Sequence, residues 1–178
     1  ALLRKVEPFP TRGDELKPIV LKIIYRTVII FLLGEFLAGF PYFQLATIRI
    51  PGVLQRIAVC YFFASIIYLT TRPRTTAIIS VALLVVYFVV MKKVHWNGYY
   101  VGDLRKEGSL GSIIDRKVFG PHIWKGGVVY DPEGLLSTIP ALATTLIGVL
   151  TGHWLRTEKT RYEKAAGMFV VGAICVAI

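Results

Sequence analysis

Apolar residues fall in long blocks with short polar stretches between them. Four blocks reach or approach the about 20 residues needed to cross a bilayer: 19–40, 53–71, 75–91 and 134–155. A fifth opens near Ala165 and is still apolar at Ile178, about 14 residues on, short of a span. The pattern predicts an all-α fold, a polytopic transmembrane helix bundle with four complete spans and a truncated fifth. The sequence begins without Met and stops in mid-span, so 1–178 reads as part of one membrane domain of a longer protein. The first 18 residues are polar and show no cleavable signal peptide.

Between the blocks, Pro73 marks a tight turn. The 75–91 block holds no charged residue and is apolar all round, which predicts a lipid-facing or rim position. The 92–133 loop is far longer than a connector needs, and such loops are usually functional or disordered. Its aromatics, and the amphipathic stretch IIDRKVFG, argue for order. No internal repeat or low-complexity segment is visible.

The chain is 54% hydrophobic, and its net charge is +10. In a soluble protein that charge would suggest nucleic acid. Here the basic residues sit between apolar blocks, so the charge reads as membrane topology and no nucleic-acid partner is expected. Basic residues collect in cytoplasmic loops. Arg4, Lys5, Arg12, Lys17, Lys22 and Arg26 precede or open the first block, Arg72 and Arg74 lie in the second turn, and Arg156, Lys159, Arg161 and Lys164 follow the fourth block. These three groups alternate correctly and are assigned to the inside. The 41–52 loop and the 92–133 loop then fall outside. Cys60 and Cys175 sit within apolar helices and read as packing residues. No metal-ligand spacing appears.

Charges inside an apolar block need a reason. Glu35 lies about five residues below the outer end of the first block, roughly 7–8 Å deep at 1.5 Å per residue. Arg56 lies about as deep on the second, beside Gln55. An intramembrane charge faces the bundle interior and finds a partner. One reading is a buried Glu35–Arg56 ion pair and nothing more. A second has Gln55 and Arg56 lining a polar cavity that holds an anionic or polar ligand, and a third has Arg56 snorkelling to the outer surface. Next comes YDPEGLLSTIP (130–140). Asp131 before Pro132 predicts a helix start, and Glu133 suits its first turn. Ser137 and Thr138 follow, and Pro140 is expected to free the carbonyl of Leu136. Two hydroxyls, a freed carbonyl and two carboxylates at one depth exceed what a cap requires. Gly148 and Gly152, with Thr144 above them, predict a close-packing face. His95, His122 and His153 are each isolated and read as non-catalytic. The residues alone describe a polar cavity near the outer face, fed by the first, second and fourth spans. That suits an enzyme or a transporter equally, and a purely structural membrane subunit is a third reading.

Three stretches, RIPGVLQRIAVCYF (49–62), IIDRKVFGPH (113–122) and YDPEGLLSTIPALATTLIGVLTG (130–152), go further. In this order they resemble the membrane acyltransferase family of heparan-α-glucosaminide N-acetyltransferase, most closely its bacterial NagX-like members. KIIYRTVIIFLLG (22–34) is similar as well. The resemblance covers nearly everything after residue 20. It implies transfer of an acetyl group from cytosolic acetyl-CoA to the amino group of a glucosamine or glycan across the membrane, with no metal, in a bacterial inner membrane. It implies a catalytic histidine in an outer loop before the spans seen here, and none of the three histidines matches it. Arg49, Gln55, Arg56, Asp115, Asp131, Glu133 and Gly134 match family motifs and are the candidate substrate-binding positions, with Asp131, Glu133 and Arg56 as catalytic candidates. Glu35 stands where the family usually has an apolar residue. Arg72, Arg74, Arg156 and Lys159 are candidate partners for coenzyme A phosphates. The oligomeric state stays open, a homodimer included.

Overall fold

A computed structural model describes residues 13–94, 102–124 and 130–177. His95 lies outside them. Every regular element among the described residues is helical. The helices are α1 (Gly13–Gly39), α2 (Val53–Thr70), α3 (Pro73–Lys93), α4 (Leu110–Phe119), α5 (Thr138–Leu155) and α6 (Arg161–Ala177). Short 3-10 turns at Leu45–Thr47 and Gly120–His122 flank the ends of the two long loops.

Among the described residues, α2, α3 and α5 are long and apolar enough to cross a membrane. This corrects the expected four complete spans. The first block does form a helix, but α1 extends back to Gly13 and carries Lys17, Lys22, Arg26 and Glu35. The truncated fifth block is α6, 17 residues long. Pro73 takes the first position of α3, where its missing N–H leaves no helical bond unmade.

The layer order is α1–α2–α5–α3, with α6 touching α5 only lightly. Apolar burial drives little helix association inside a bilayer, so close approach of small residues matters more. The buried interior follows that rule: Ala58, Ala64 and Ala143 are enclosed together with Thr76, Ser80 and Leu146. α3 turns Thr76 and Ser80 inward and leaves Ile78, Val81, Val85 and Phe88 exposed, as expected of a rim helix. The α1–α2 contact is set by Gly34. A Cβ there would sit 2.7 Å from Oε1 of Gln55 and 2.9 Å from Cβ of Leu54. Gly148 behaves differently, with open space where its Cβ would be. The packing face predicted for Gly148 and Gly152 therefore has no partner at Gly148 among the described residues.

The short amphipathic helix α4 lies across the end of α3. Leu110 packs on Met91, surrounded by Tyr87, Val90, Val94, Ile113, Ile114 and Leu136. Ser109 caps α4 by accepting the Ser112 N–H. Gly120 ends it at φ 53°, a conformation that favours glycine.

Gly34→Leu is expected to overpack the α1–α2 contact at a cost of about 1–3 kcal/mol. Thermal unfolding of the detergent-solubilised full-length protein reads this directly. An unchanged midpoint would show that the close contact at Gly34 is dispensable.

Candidate functional site

The site forms where the α1–α2 loop, the end of the α4 segment and the 130–137 stretch meet. Asp131 is its centre, with a side chain fully shut off from solvent. Its Oδ2 accepts Arg49 Nε at 3.0 Å and the Trp124 backbone N–H at 2.8 Å. Its Oδ1 accepts Arg49 Nη2 at 2.6 Å and the Glu133 backbone N–H at 2.9 Å. Four charge-assisted bonds, two of them the bidentate fork that arginine geometry favours, leave this carboxylate saturated. Arg49 Nη2 also donates to Glu133 Oε2. The hydrogen bond that Arg49 donates to Asp131 raises the Arg49 pKa further, against burial that lowers it. The cluster holds one cation and two carboxylates, so it carries a net charge of −1 when both acids are ionised.

Asp131 does not start a helix. Its carbonyl accepts the Gly134 N–H at 3.2 Å, which closes a turn over 131–134. Asp, Pro and Gly at the first, second and fourth positions are the residues a type I turn prefers. α5 begins only at Thr138, with Ser137 as its N-cap residue. Pro140 consequently lies in the first helical turn, where a missing N–H is harmless. The Leu136 carbonyl is not freed, since it accepts the Ile139 N–H at 3.1 Å. The Ser137 and Thr138 hydroxyls turn back to the Gly134 carbonyl at 2.9 and 3.0 Å.

Glu35 and Arg56 do not pair. Gln55 donates to Glu35 at 2.9 Å from a buried position on α2. Arg56 points the other way. Its Nη2 donates to the Pro132 carbonyl at 2.7 Å and to Ser137 Oγ. Asp115, 3% exposed, reaches from α4 and accepts the Leu135 N–H at 2.8 Å. Gly134 is required beneath it, because any Cβ would collide with the Asp115 carboxylate. Of the sequence candidates, Arg49, Arg56, Asp115, Asp131, Glu133 and Gly134 thus converge on one loop, and Gln55 faces away toward α1.

A cavity of about 300 Å³ opens beside the cluster, lined by Phe40, Tyr42, Gln44, Thr47, Arg49 and Trp124, among others. Trp124, Tyr42 and Gln44 were not singled out in the sequence; an aromatic loop was the only signal. His122 helps fix the cavity wall. Its backbone carbonyl accepts the Ile50 N–H at 3.0 Å, and its ring Nδ1 lies 2.9 Å from the Ile48 carbonyl. The remaining cationic candidates lie at the opposite end of the bundle. Arg72, Arg74 and Arg156 are exposed there, and the Lys159 ammonium sits 4.4 Å from the Trp154 ring centre. His153 lines a separate cleft of about 20 Å³ with Tyr68, Thr71 and Thr76, room for about one water. Among the described residues no group of His, Cys, Asp or Glu could hold a metal ion.

The described residues define a polytopic helical membrane protein with a buried ionic cluster and an aromatic-lined cavity at one end of the bundle. No protein-family model matches the chain. Curated relatives include the heparan-alpha-glucosaminide N-acetyltransferase of Mus musculus, 24% identical over 221 aligned positions that cover 94% of this chain and 33% of the mouse protein. The Homo sapiens heparan-alpha-glucosaminide N-acetyltransferase is 26% identical over 210 positions, 88% of this chain and 32% of the human protein. The chain is thus related at the family level to these N-acetyltransferases, and it spans about a third of their length.

Asp131→Asn leaves Arg49 without a charged fork. Loss of one partner of a buried pair costs about 3–5 kcal/mol, and roughly 3 is expected here because Arg49 keeps part of its surface in solvent. A melting temperature within error of wild type would contradict this. At Asp115, burial raises the carboxyl above its ordinary value of 3.8, against the bond from Leu135. A group raised in the fold destabilises it once ionised. That penalty is absent below pH 3.8 and grows as pH rises toward the higher folded-state value. Asp115→Asn keeps an acceptor for Leu135 and removes the charge. Its melting temperature should lose less than that of wild type between acid and neutral pH.

Proposed function

We propose that the protein is a membrane acyltransferase that moves an acetyl group from cytosolic acetyl-CoA to the amino group of a sugar on the opposite face. The observation that carries this reading is the net-negative Arg49–Asp131–Glu133 cluster, which reaches the aromatic-lined cavity beside it through Arg49. It is supported by the name that the relatives share over nearly the whole chain. Aromatic faces suit the C–H faces of a pyranose ring, and Gln44 and Thr47 suit its hydroxyls. A net negative charge attracts an ammonium group. Asp131 is saturated and holds Arg49; Glu133, with 18% of its side chain exposed, remains to receive the amine and its proton. The catalytic histidine implied by the family resemblance is expected in the relatives' remaining length.

The thioester enters from the other end. Arg72, Arg74 and Arg156 are the proposed partners of its phosphates, with Lys159 held over Trp154 beside them. This puts the 92–133 loop on the outer face, in a bacterial inner membrane by the resemblance to the bacterial members.

The test uses full-length protein in liposomes, with labelled acetyl-CoA on the cytoplasmic face and glucosamine on the other. Wild type is expected to yield labelled N-acetylglucosamine, and Glu133→Gln, equally folded, at least about 100-fold less, the lower end of what a general base contributes. Movement of unmodified sugar without acetylation would reject the enzyme and leave a transporter.

A further inference from the structure

α1 is one edge of the layered bundle, and its outer end turns into a wall of the cavity. It packs on α2, a helix long and apolar enough to cross a membrane. Its free side is apolar: Leu32, Leu33, Phe36, Leu37 and Phe40 are all exposed. Ring contacts carry this track past the helix end, with Phe36 6.1 Å from Phe40 and 5.6 Å from Phe43, centroid to centroid. Phe40 and Tyr42, 64% and 83% exposed, then line the cavity. The loop that follows supplies Gln44, Thr47 and Arg49 to the same cavity. The lining is thus apolar where it continues α1 and polar where it nears the ionic cluster. This loop joins α1 to α2 and so lies at the bilayer boundary, the depth where tyrosine and tryptophan collect. Tyr42 and Trp124 both line the cavity there. At about 300 Å³ the cavity is at the low end of small-molecule sites, roughly 300–1,000 Å³. That suits one polar head rather than a chain of sugars.

We propose that the acceptor is an amino sugar carried on a membrane lipid, and that it enters the cavity sideways from the bilayer along α1. The proposal rests on the acyl-transfer reading and names its acceptor class. The sugar head occupies the cavity, with its hydroxyls toward Gln44 and Thr47. The net negative charge of the Arg49–Asp131–Glu133 cluster complements the ammonium that the head carries. The lipid chains stay in the bilayer against Leu33, Phe36 and Leu37, and no apolar surface has to enter water. The bilayer delivers the head. Confinement at the depth of the mouth raises its effective concentration, with no affinity needed from the chains. The chemistry is that of a soluble amine. Glu133 takes one ammonium proton, and the freed lone pair bonds the acetyl carbon. The C–S electron pair leaves with coenzyme A, which takes up the second N–H proton and departs as the thiol.

The test uses full-length protein in liposomes, with acetyl-CoA on the cytoplasmic face and three acceptors on the other. They are free glucosamine, glucosamine attached directly to a diacylglycerol, and the same lipid with a long hydrophilic spacer. The directly attached sugar is expected to show an apparent KM about 100-fold below that of free glucosamine, the lower end of what tethering adds. An apparent KM no lower than that of the free sugar overturns the proposal. So does turnover of the free and spacer-borne sugars without the directly attached one, which places the mouth toward water. A photoreactive diazirine on the first carbons of the lipid chain gives a reading that needs no acetylation. Its label is expected on residues 32–43 and is expected to fall when free glucosamine is added in excess. Label there without competition marks ordinary lipid contact and overturns the proposal. Wild type that acetylates nothing yet shows the competed label rejects the acyl-transfer reading and keeps the lipid-borne sugar as the ligand. Wild type that acetylates free glucosamine without competed label rejects only the lipid-borne acceptor.

Discussion

One carboxylate organises this end of the molecule. Asp131 accepts four hydrogen bonds, from Arg49 in the α1–α2 loop, from the Trp124 backbone and from Glu133 two residues on. A buried charge is tolerable only when it is paired and its lone pairs are occupied. Meeting that demand draws three separate segments to one point and fixes the wall of the cavity. The turn over 131–134 then follows, and with it the late start of α5 and the position of Ser137, on which Arg56 anchors.

A second set of polar contacts keeps the helices in register. Gln55 fills the space that Gly34 leaves and bonds Glu35, joining α1 to α2. Asp115 fills the space over Gly134 and bonds the Leu135 N–H, joining α4 to the entrance of α5. Each pairs a glycine with a polar side chain of the neighbouring element. Where apolar attraction between helices is weak, such a pairing gives close approach and a satisfied bond together.

The apolar blocks made α2, α3 and α5 legible in the sequence, and the amphipathic stretch announced α4. Two features were misread for identifiable reasons. Asp-Pro signals both a helix cap and a type I turn, and only the distant Arg49, Trp124 and Asp115 decide between them. The reading that paired Glu35 with Arg56 fails on azimuth, since Gln55 takes that place beside Glu35. Neighbours on a helix point about 100° apart at 3.6 residues per turn, so Gln55 faces α1 while Arg56 faces α5. Backbone donors such as the Trp124 N–H leave no trace in composition. The bond between the His122 ring and Ile48 spans 74 residues and is equally silent.

The distance along the chain between Arg49 and Asp131, 82 residues, also orders events in time. A ribosome delivers Arg49 long before its partner exists. α2 and α3 are synthesised, and α4 and its loop follow, while the Arg49 guanidinium and the edge of α2 wait beside an empty place. Only the arrival of YDPEG closes the fork, seats α4 through Asp115 and lets α5 start. The cluster is therefore among the last contacts that can form, complete only after the upstream helices and the long loop have been made.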